Sequence, residues 1–282
     1  KIKKLSGDTI TDFATSTAIT TNNTDDSFCS IYVKNADEIY VSDCRNLRVF
    51  KFNKLGTLLR TYAVSLNLPA KCGNCRDWGG GLAVDNLGGI FLSDEHNHVI
   101  IRIDENSGLA KVYGGTAGKN GSVDGDLSIS TFNLPRGLSI DLQNNLLVVD
   151  RWSDSIRKIT PQGVVTTIER GMGCLTGVSV DSNGSVIAIN ERYCAPTIFK
   201  VGAGKILEDT KSLTAGIPGY SGRPAFGGGS GISIDRYGSN PSNNIYISDW
   251  INHSVKVFSS AGALLRTIGE EDSYGGTHSQ SS

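Results

Sequence analysis

Short apolar stretches bounded by polar turn residues recur along the chain, and five of them share nearly the same wording. IYVSD, IFLSD, LLVVD, VIAIN and IYISD end at positions 43, 94, 150, 190 and 249. Such runs of β-branched and aromatic residues are typical of β-strands. Their spacings of 51, 56, 40 and 59 residues indicate a repeated unit.

Each unit contains four predicted strands, which we call A to D. The quoted stretch is strand B, and a Gly-led strand A precedes it at 81–85, 137–141, 177–181 and 231–235, with SIYVK in that place in the first unit. A third strand, a turn and a fourth strand follow, as in SVKVF and GALLRTIG. Four antiparallel strands with a period of about 40 to 50 residues are typical of a propeller blade. The pattern predicts an all-β fold, a β-propeller of four-stranded antiparallel blades with strand A innermost.

The N-terminus breaks the register, because residues 1–14 read as a C–D hairpin with no A–B pair before it. The expected ring is therefore of the six-bladed type, with five full blades plus an N-terminal C–D hairpin, over residues 1–270. The Ser- and Gly-rich residues 271–282 are expected to form a flexible tail. Three explanations of the missing half blade stay open: the chain is a fragment, the ring closes imperfectly, or another chain donates the strands. Because an open sheet edge is a template for strand addition, the third would make assembly part of the function.

These phrases resemble NHL repeats, in which an A strand that ends at Asp is followed by stretches such as IYVSD and IRKI. The connections at 113–141 and 216–226 are similar to those of the secreted or cell-surface NHL type. The resemblance covers nearly the whole chain and implies the fold. It does not imply one function, since similar propellers include both binding domains and enzymes.

Charge and hydropathy exclude two classes of partner. The chain has 27 Lys and Arg against 28 Asp and Glu, so no global positive field draws it to nucleic acid. No apolar run approaches the roughly 20 residues of a membrane helix, so membrane insertion is not expected. The chain begins at Lys1 without an apolar signal region, which suits a processed chain or a fragment.

Cysteines and glycosylation sequons together favour a secreted, extracellular glycoprotein. Strand parity places the B–C and D–A loops at one end of the ring, and all six cysteines fall there. A cysteine before strand A and one after strand B predict one disulfide in the first unit and another in the fourth. The predicted pairs are Cys29–Cys44 and Cys174–Cys194, with a local bridge Cys72–Cys75, and the sequons are Asn22, Asn120, Asn183 and Asn252.

The same end of the ring also collects aromatic, arginine and histidine residues, which are usual anchors of recognition. We therefore predict a binding face on the B–C and D–A loops. An alternative is that Trp152 and Trp250 wedge between blades while their charged neighbours are only solvated. The predicted binding face consists of Arg45, Trp78, His96, His98, Arg151, Trp152, Arg192, Tyr193, Trp250 and His253.

Evidence for metal or catalytic chemistry is weaker. The aspartates that end strands A and B precede turns, where Asp caps the backbone through its own side chain, so we interpret them as structural. Asp124, Asp126 and Ser128 resemble the start of a calcium loop but lack its downstream Glu. A redox or zinc role for the Cys72–Cys75 pair is disfavoured, since no helix or second ligand pair accompanies it. No catalytic residue, metal ligand or cofactor is predicted.

The sequence thus favours an extracellular propeller that works by binding a protein, a glycan or further copies of itself through the incomplete blade. The alternative is a propeller hydrolase or lyase with Ca²⁺ or Zn²⁺ at the channel mouth. Catalysis is left unsettled but is not favoured. RNA binding is disfavoured by the near-neutral charge and the paired cysteines.

Overall fold

The computed structural model describes residues 2–6, 9–14, 28–35, 37–44, 46–69, 80–190, 198–202, 205–206, 229–236, 241–249 and 254–269. Over these ranges it is a β-propeller, as predicted. It contains five antiparallel blades and, in addition, a separate two-stranded sheet formed by the N-terminus. The predicted tail at 271–282 lies outside the described residues.

Every blade contains a four-stranded meander in which consecutive strands pair antiparallel, and blade 3 has a fifth strand, β11, at its outer edge. The N-terminal hairpin is β1 (Ile2–Ser6) and β2 (Thr9–Ala14); blade 1 is β3 (Phe28–Asn35), β4 (Glu38–Asp43), β5 (Arg48–Phe52) and β6 (Leu58–Ala63); blade 2 is β7 (Leu82–Val84), β8 (Gly89–Asp94), β9 (Val99–Asp104) and β10 (Ala110–Gly114). Blade 3 is β11 (Gly125–Asp126), β12 (Pro135–Ile140), β13 (Leu146–Asp150), β14 (Ser155–Ile159) and β15 (Val164–Arg170); blade 4 is β16 (Leu175–Val180), β17 (Val186–Asn190), β18 (Ile198–Lys200) and β19 (Lys205–Ile206); blade 5 is β20 (Gly229–Ile234), β21 (Ile245–Asp249), β22 (Ser254–Phe258) and β23 (Leu264–Ile268).

Asp85, Asp141 and Asp181 at the ends of strand A hold turns, which confirms the structural interpretation for these three residues. Asp141, at the end of strand A, accepts hydrogen bonds on Oδ1 from the backbone N–H groups of Gln143 (2.9 Å) and Asn145 (2.8 Å). Asp85 and Asp181 make the same pair of bonds in blades 2 and 4. The side chain thereby replaces backbone partners that a tight turn leaves open.

Apolar clusters lie between successive blades and give the order of the ring. Tyr40 of blade 1 packs with Leu82 and Val84 of blade 2 in one buried cluster. A second cluster joins blades 2 and 3, a third joins blades 3 and 4, and a fourth joins blades 4 and 5. The core is therefore divided into layers between neighbouring sheets, each too small to be stable without the next.

The N-terminal hairpin covers the opposite face of blade 1. Ile2 and Phe13 pack with Val41, Phe50 and Phe52. Among the described residues, β1 pairs only with β2. The hairpin therefore occupies the C–D position of a further blade, as the sequence predicted, and the A–B position beside β1 holds no described strand.

A long connection between blades 2 and 3 adds a feature that the sequence did not predict. Its residues Gly125–Asp126 form β11, which pairs with β15 and makes blade 3 five-stranded. Asp124 in this connection accepts hydrogen bonds from Arg157 (2.7 Å) and Thr167 (3.0 Å). Asp124, the first residue of the candidate calcium loop, is therefore engaged in holding the connection against blade 3.

An ionic cluster joins blades 1 and 2 at the end that carries the A–B and C–D turns. The Glu105 carboxylate of blade 2 accepts hydrogen bonds from Tyr40 Oη (2.5 Å), Lys51 Nζ (2.6 Å) and Lys34 Nζ (3.2 Å) of blade 1. Burial alone would raise the pKa of Glu105, but these bonds outweigh it and lower the pKa from 4.5 to about 2. The carboxylate is thus ionised wherever the protein is folded near neutral pH.

We expect Glu105→Gln to destabilise the protein by roughly 1.5 to 3 kcal/mol at pH 7, because it removes charge-assisted hydrogen bonds. Since the folded pKa lies below the unfolded one, this contribution is present above pH 4.5 and declines as the pH falls towards 2. Urea unfolding of both proteins across that range measures it. The control is Asp37→Asn, which breaks the exposed pair with Lys54 (2.9 Å) and is expected to cost at most about 1 kcal/mol. A difference between wild type and Glu105→Gln that stays constant with pH would contradict the prediction.

The described part of the chain contains no helix long and apolar enough to cross a membrane.

Candidate functional site

The innermost strands of all five blades surround a central channel, in agreement with the prediction for strand A. Its two halves have volumes of about 370 Å³ and about 320 Å³, the larger lying towards the B–C and D–A loops. Glycine, serine and aliphatic residues form much of the lining, with Ser30, Leu138, Val178 and Ile232 among those common to both halves. Tyr246 also lines both halves, Arg136 lines the larger one, and Tyr32, Asp235 and Arg236 line the smaller one. The channel wall thus offers hydroxyl groups and apolar surface, with charged side chains in each half.

An ion pair lies at the larger mouth, and sequence reasoning missed it. Arg136, at the start of β12, approaches Glu95, just after β8, with Nε 3.5 Å from Oε1. Only 3% of the Glu95 side chain and 14% of the Arg136 side chain are exposed. Both occupy positions where the pattern predicted loop residues, Glu95 directly after a strand-B aspartate and Arg136 directly before a strand-A glycine. These positions relative to the repeated aspartate and glycine place both residues at the same end of the propeller, and that is the signal in the sequence that could have identified the pair.

The B–C and D–A loops do meet at one end of the ring. His98, in the B–C loop of blade 2, accepts a hydrogen bond on Nδ1 from the backbone N–H of Leu134 (3.2 Å) in the connection to blade 3. Burial lowers the pKa of His98, against the opposing effect of Asp94. The His98 imidazole is therefore neutral near pH 7, and its Nδ1 acts as an acceptor that joins two loops.

The neighbouring B–C loop presents an aromatic side chain to solvent. A short 3₁₀ turn at Arg151–Ser153 follows β13, and the Trp152 side chain on it is 70% exposed. The backbone N–H of Trp152 donates to the carbonyl of Asn133 (3.1 Å), which ties the turn to the adjacent connection. Trp152 does not wedge between blades, so that alternative is wrong for this residue.

The binding-face prediction is only partly covered by the described residues. His96, His98, Arg151 and Trp152 lie in the B–C loops of blades 2 and 3. Of the sequons, Asn120 and Asn183 are exposed. The members outside the described residues are Arg45, Trp78, Arg192, Tyr193, Trp250 and His253, and so are Asn22 and Asn252.

A disulfide braces blade 1 at the same end of the ring. Cys29 on β3 is bonded to Cys44 just after β4, with their Cα atoms 5.9 Å apart, as predicted. Cys174 is also disulfide-bonded, but Cys194, Cys72 and Cys75 lie outside the described residues, so the 174–194 and 72–75 pairings stay predictions. Within the described ranges, no three His, Cys, Asp or Glu side chains are grouped closely enough to hold a metal ion.

Blade 1 exposes apolar residues at positions that are buried in the blades after it. Strand-A side chains that face the preceding blade are Leu82 (2% exposed) and Val84 (1%) in blade 2. The same register positions in blade 1 are Ile31 and Val33, because Ile31 is paired with Val41 as Leu82 is with Leu92. Ile31 is 54% exposed and Val33 is 44% exposed. Among described strands, none covers them on that side.

Solved structures of proteins with different activities share this fold. A chain of a nidogen/laminin complex superposes with a TM-score of 0.58 at 17% identity, over 86% of this chain and 80% of that one. A streptogramin B lyase gives 0.57 at 13% identity, over 89% and 71%, and a gluconolactonase from Xanthomonas campestris gives 0.55 at 17%, over 83% and 72%. No protein-family profile and no curated protein sequence matches the chain. The protein is therefore a β-propeller, and likeness at these identities establishes its fold alone.

Proposed function

We propose that this protein is a secreted, NHL-type propeller that works by binding another polypeptide at the open half blade. The observation that carries the proposal is the exposure of Ile31 and Val33, at positions that are buried in blade 2. Full burial of one such aliphatic side chain is worth about 1.5 to 3 kcal/mol, so a partner that covers both gains substantial binding energy.

The hairpin β1–β2 supports the same proposal. Its inner strand β1 pairs only with β2 among the described strands, and the proposal assigns its second edge to backbone hydrogen bonds with the partner. The repeat lacks an A–B pair at this place, which would add two antiparallel strands between β1 and the channel. The expected ligand is therefore an extended segment with alternating apolar residues, which would bind by strand addition. The similar chain of the nidogen/laminin complex shows that a protein with this fold can take part in a protein complex, and it is a precedent in that respect alone.

A labelled peptide that copies an A–B hairpin of this chain, residues 135–150, is a suitable probe. We expect saturable binding by fluorescence anisotropy, weakened at least tenfold by the double substitution Ile31→Asp and Val33→Asp. The matched control is Leu109→Asp, which alters an exposed apolar residue of blade 2 far from the half blade. A scrambled peptide of the same composition tests the register.

Several outcomes would overturn the proposal. One is equal binding of the scrambled peptide, and another is an affinity that the double substitution leaves unchanged. Light scattering of the free protein distinguishes the source of the strands, because concentration-dependent oligomers that the same double substitution dissolves would identify further copies of the chain as the partner. Stoichiometric Zn²⁺ or Ca²⁺ in the purified protein, with lyase or hydrolase activity that depends on it, would favour the enzyme alternative instead.

A further inference from the structure

We infer that the cavity between blades 2 and 3, at the end that carries the A–B and C–D turns, is a binding site for a carboxylate group. The inference is independent of the open half blade, which lies at a different interface. It rests on a comparison of two neighbouring interfaces of the same ring. In one of them the protein supplies the carboxylate itself.

The interface between blades 1 and 2 is the internal template. Glu105, in the C–D turn of blade 2, inserts its carboxylate among Lys34, Tyr40 and Lys51 of blade 1. Arg60 closes the same site by donating to the backbone carbonyls of Glu105 (2.7 Å) and Asn106 (3.0 Å). The propeller geometry at this level of an interface is therefore suited to hold a carboxylate against basic side chains.

Strand register identifies the corresponding residues one blade further on. Tyr40 is paired with Lys51, and Lys51 with Arg60. Phe91 is likewise paired with Arg102, and Arg102 with Lys111. Lys51 and Arg60 of the template thus correspond to Arg102 and Lys111, which keep the positive charge, whereas Asp85 takes the place of the third template cation, Lys34.

The carboxylate, however, is not repeated. Glu105 is the first residue after β9, in the sequence IDENSG that begins at Ile103. The equivalent sequence in blade 3 is ITPQG, which begins at Ile159 and has Pro161 at the position of Glu105. A cavity of about 170 Å³ lies there. Since a water molecule takes up about 30 Å³ in the liquid, this space accommodates a carboxylate group with a short carbon chain. Its lining includes Asp85, Arg102, Lys111, Tyr113, Asn144 and Pro161.

The charges of this lining favour an anion. Arg102 lies over the ring of Phe91, with Cζ 6.0 Å from the centroid, which keeps the guanidinium beside the cavity. Asp85 is the one acidic residue in the lining, and its Oδ1 accepts two backbone hydrogen bonds within its own turn. Two cations against one anion leave a net positive charge. Guanidinium and ammonium donors form short, charge-assisted hydrogen bonds with carboxylates.

A titration followed by ¹H–¹⁵N NMR tests the site, with glutarate as the probe and neutral glutaramide as its control. We expect saturable shift changes confined to residues around Arg102, Lys111 and Tyr113 for glutarate only. Arg102→Gln and Lys111→Gln should each weaken glutarate binding about tenfold, since each removes a charge-assisted bond. Lys119→Gln, an exposed lysine in the connection to blade 3, should leave it unchanged.

A second pair of variants keeps the test decisive if a charge substitution impairs folding. Pro161→Glu places a carboxylate where Glu105 stands in the template, so it should abolish glutarate binding and raise the thermal midpoint. Pro161→Gln makes the same backbone change without the charge and should retain binding. Equal binding of glutaramide, no saturable shifts with glutarate, or undiminished binding by Pro161→Glu would each overturn the inference.

The carboxylate could belong to a free small acid or to an acidic side chain of a partner. A blocked tripeptide, acetyl-Ala-Glu-Ala-amide, compared with its Gln counterpart, separates these sources. Binding of both glutarate and the Glu tripeptide supports a site open to side chains. Binding of glutarate alone supports a site restricted to free acids, and binding of the Gln tripeptide as tightly as the Glu one counts against a carboxylate site.

Discussion

Arg157→Met is expected to destabilise the propeller by about 3 to 5 kcal/mol, the range for breaking a buried ion pair by removal of one partner. Arg157 has no exposed surface, and its Nη1 donates to Asp150 Oδ2 (3.0 Å) and to the carbonyl of Thr131 (3.0 Å). Its Nη2 donates to Asp124 (2.7 Å) and to the carbonyl of Val123 (2.8 Å). The substitution therefore leaves a buried carboxylate and two carbonyls without their partner. Chemical denaturation monitored by tryptophan fluorescence measures the loss.

The effect of Arg157→Met should also depend on pH. Burial raises the pKa of Asp150 from 3.8 to about 6, although hydrogen bonds from Asn133 and the charge of Arg157 oppose this. A folded pKa above the unfolded one means that ionisation costs stability as the pH rises through about 6. Without Arg157 this cost grows, so the deficit of the variant should be larger at pH 8 than at pH 5. Lys158→Met, on the same strand, is the control and should change stability by less than about 1 kcal/mol at either pH.

Gly81→Ala is expected to cost about 3 kcal/mol or more, because its new methyl group would strike backbone rather than a movable side chain. A Cβ at this position would meet the carbonyl oxygen of Arg136 and lie 2.7 Å from the backbone nitrogen of Leu138. Ser93 links the two backbone segments at this close contact, since its hydroxyl accepts from the Gly81 N–H (2.6 Å) and donates to the Arg136 carbonyl (2.6 Å). The variant must therefore separate blades 2 and 3 at the channel wall.

Gly231→Ala is the matched control at the same register position in blade 5. There, among the described residues, a Cβ would meet the Ser248 hydroxyl at 3.3 Å, which can turn away. We expect a loss below about 1 kcal/mol and an unchanged oligomeric state. Thermal unfolding of the two variants side by side is the measurement, and equal losses would show that the crowding of blades does not explain the glycine at position 81.

The repeat could be predicted from the sequence because each blade contains similar sequence motifs. The strand-B aspartates, the turn-capping strand-A aspartates and the Cys29–Cys44 bridge follow from local register, which a single sequence displays. The ionic clusters do not. Arg157 lies in a strand where alternation predicts an ordinary core or surface residue, and its partner Asp124 stands 33 residues away in a connection without a strand pattern. Glu105 likewise acts on another blade. Contacts between blades depend on how sheets pack, so strand periodicity cannot reveal them.

The small strand β11 has a consequence for how this protein avoids aggregating. By pairing with Val164 and Val165 it covers part of the outer edge of blade 3 with two residues of the connection, so that the backbone groups of β15 at this stretch are paired within the chain. Removal of β11, for example by shortening the connection, would leave this part of the edge of β15 unpaired and open to pairing with a neighbouring molecule. Intermolecular pairing would then compete with the specific docking proposed for the inner edge of β1.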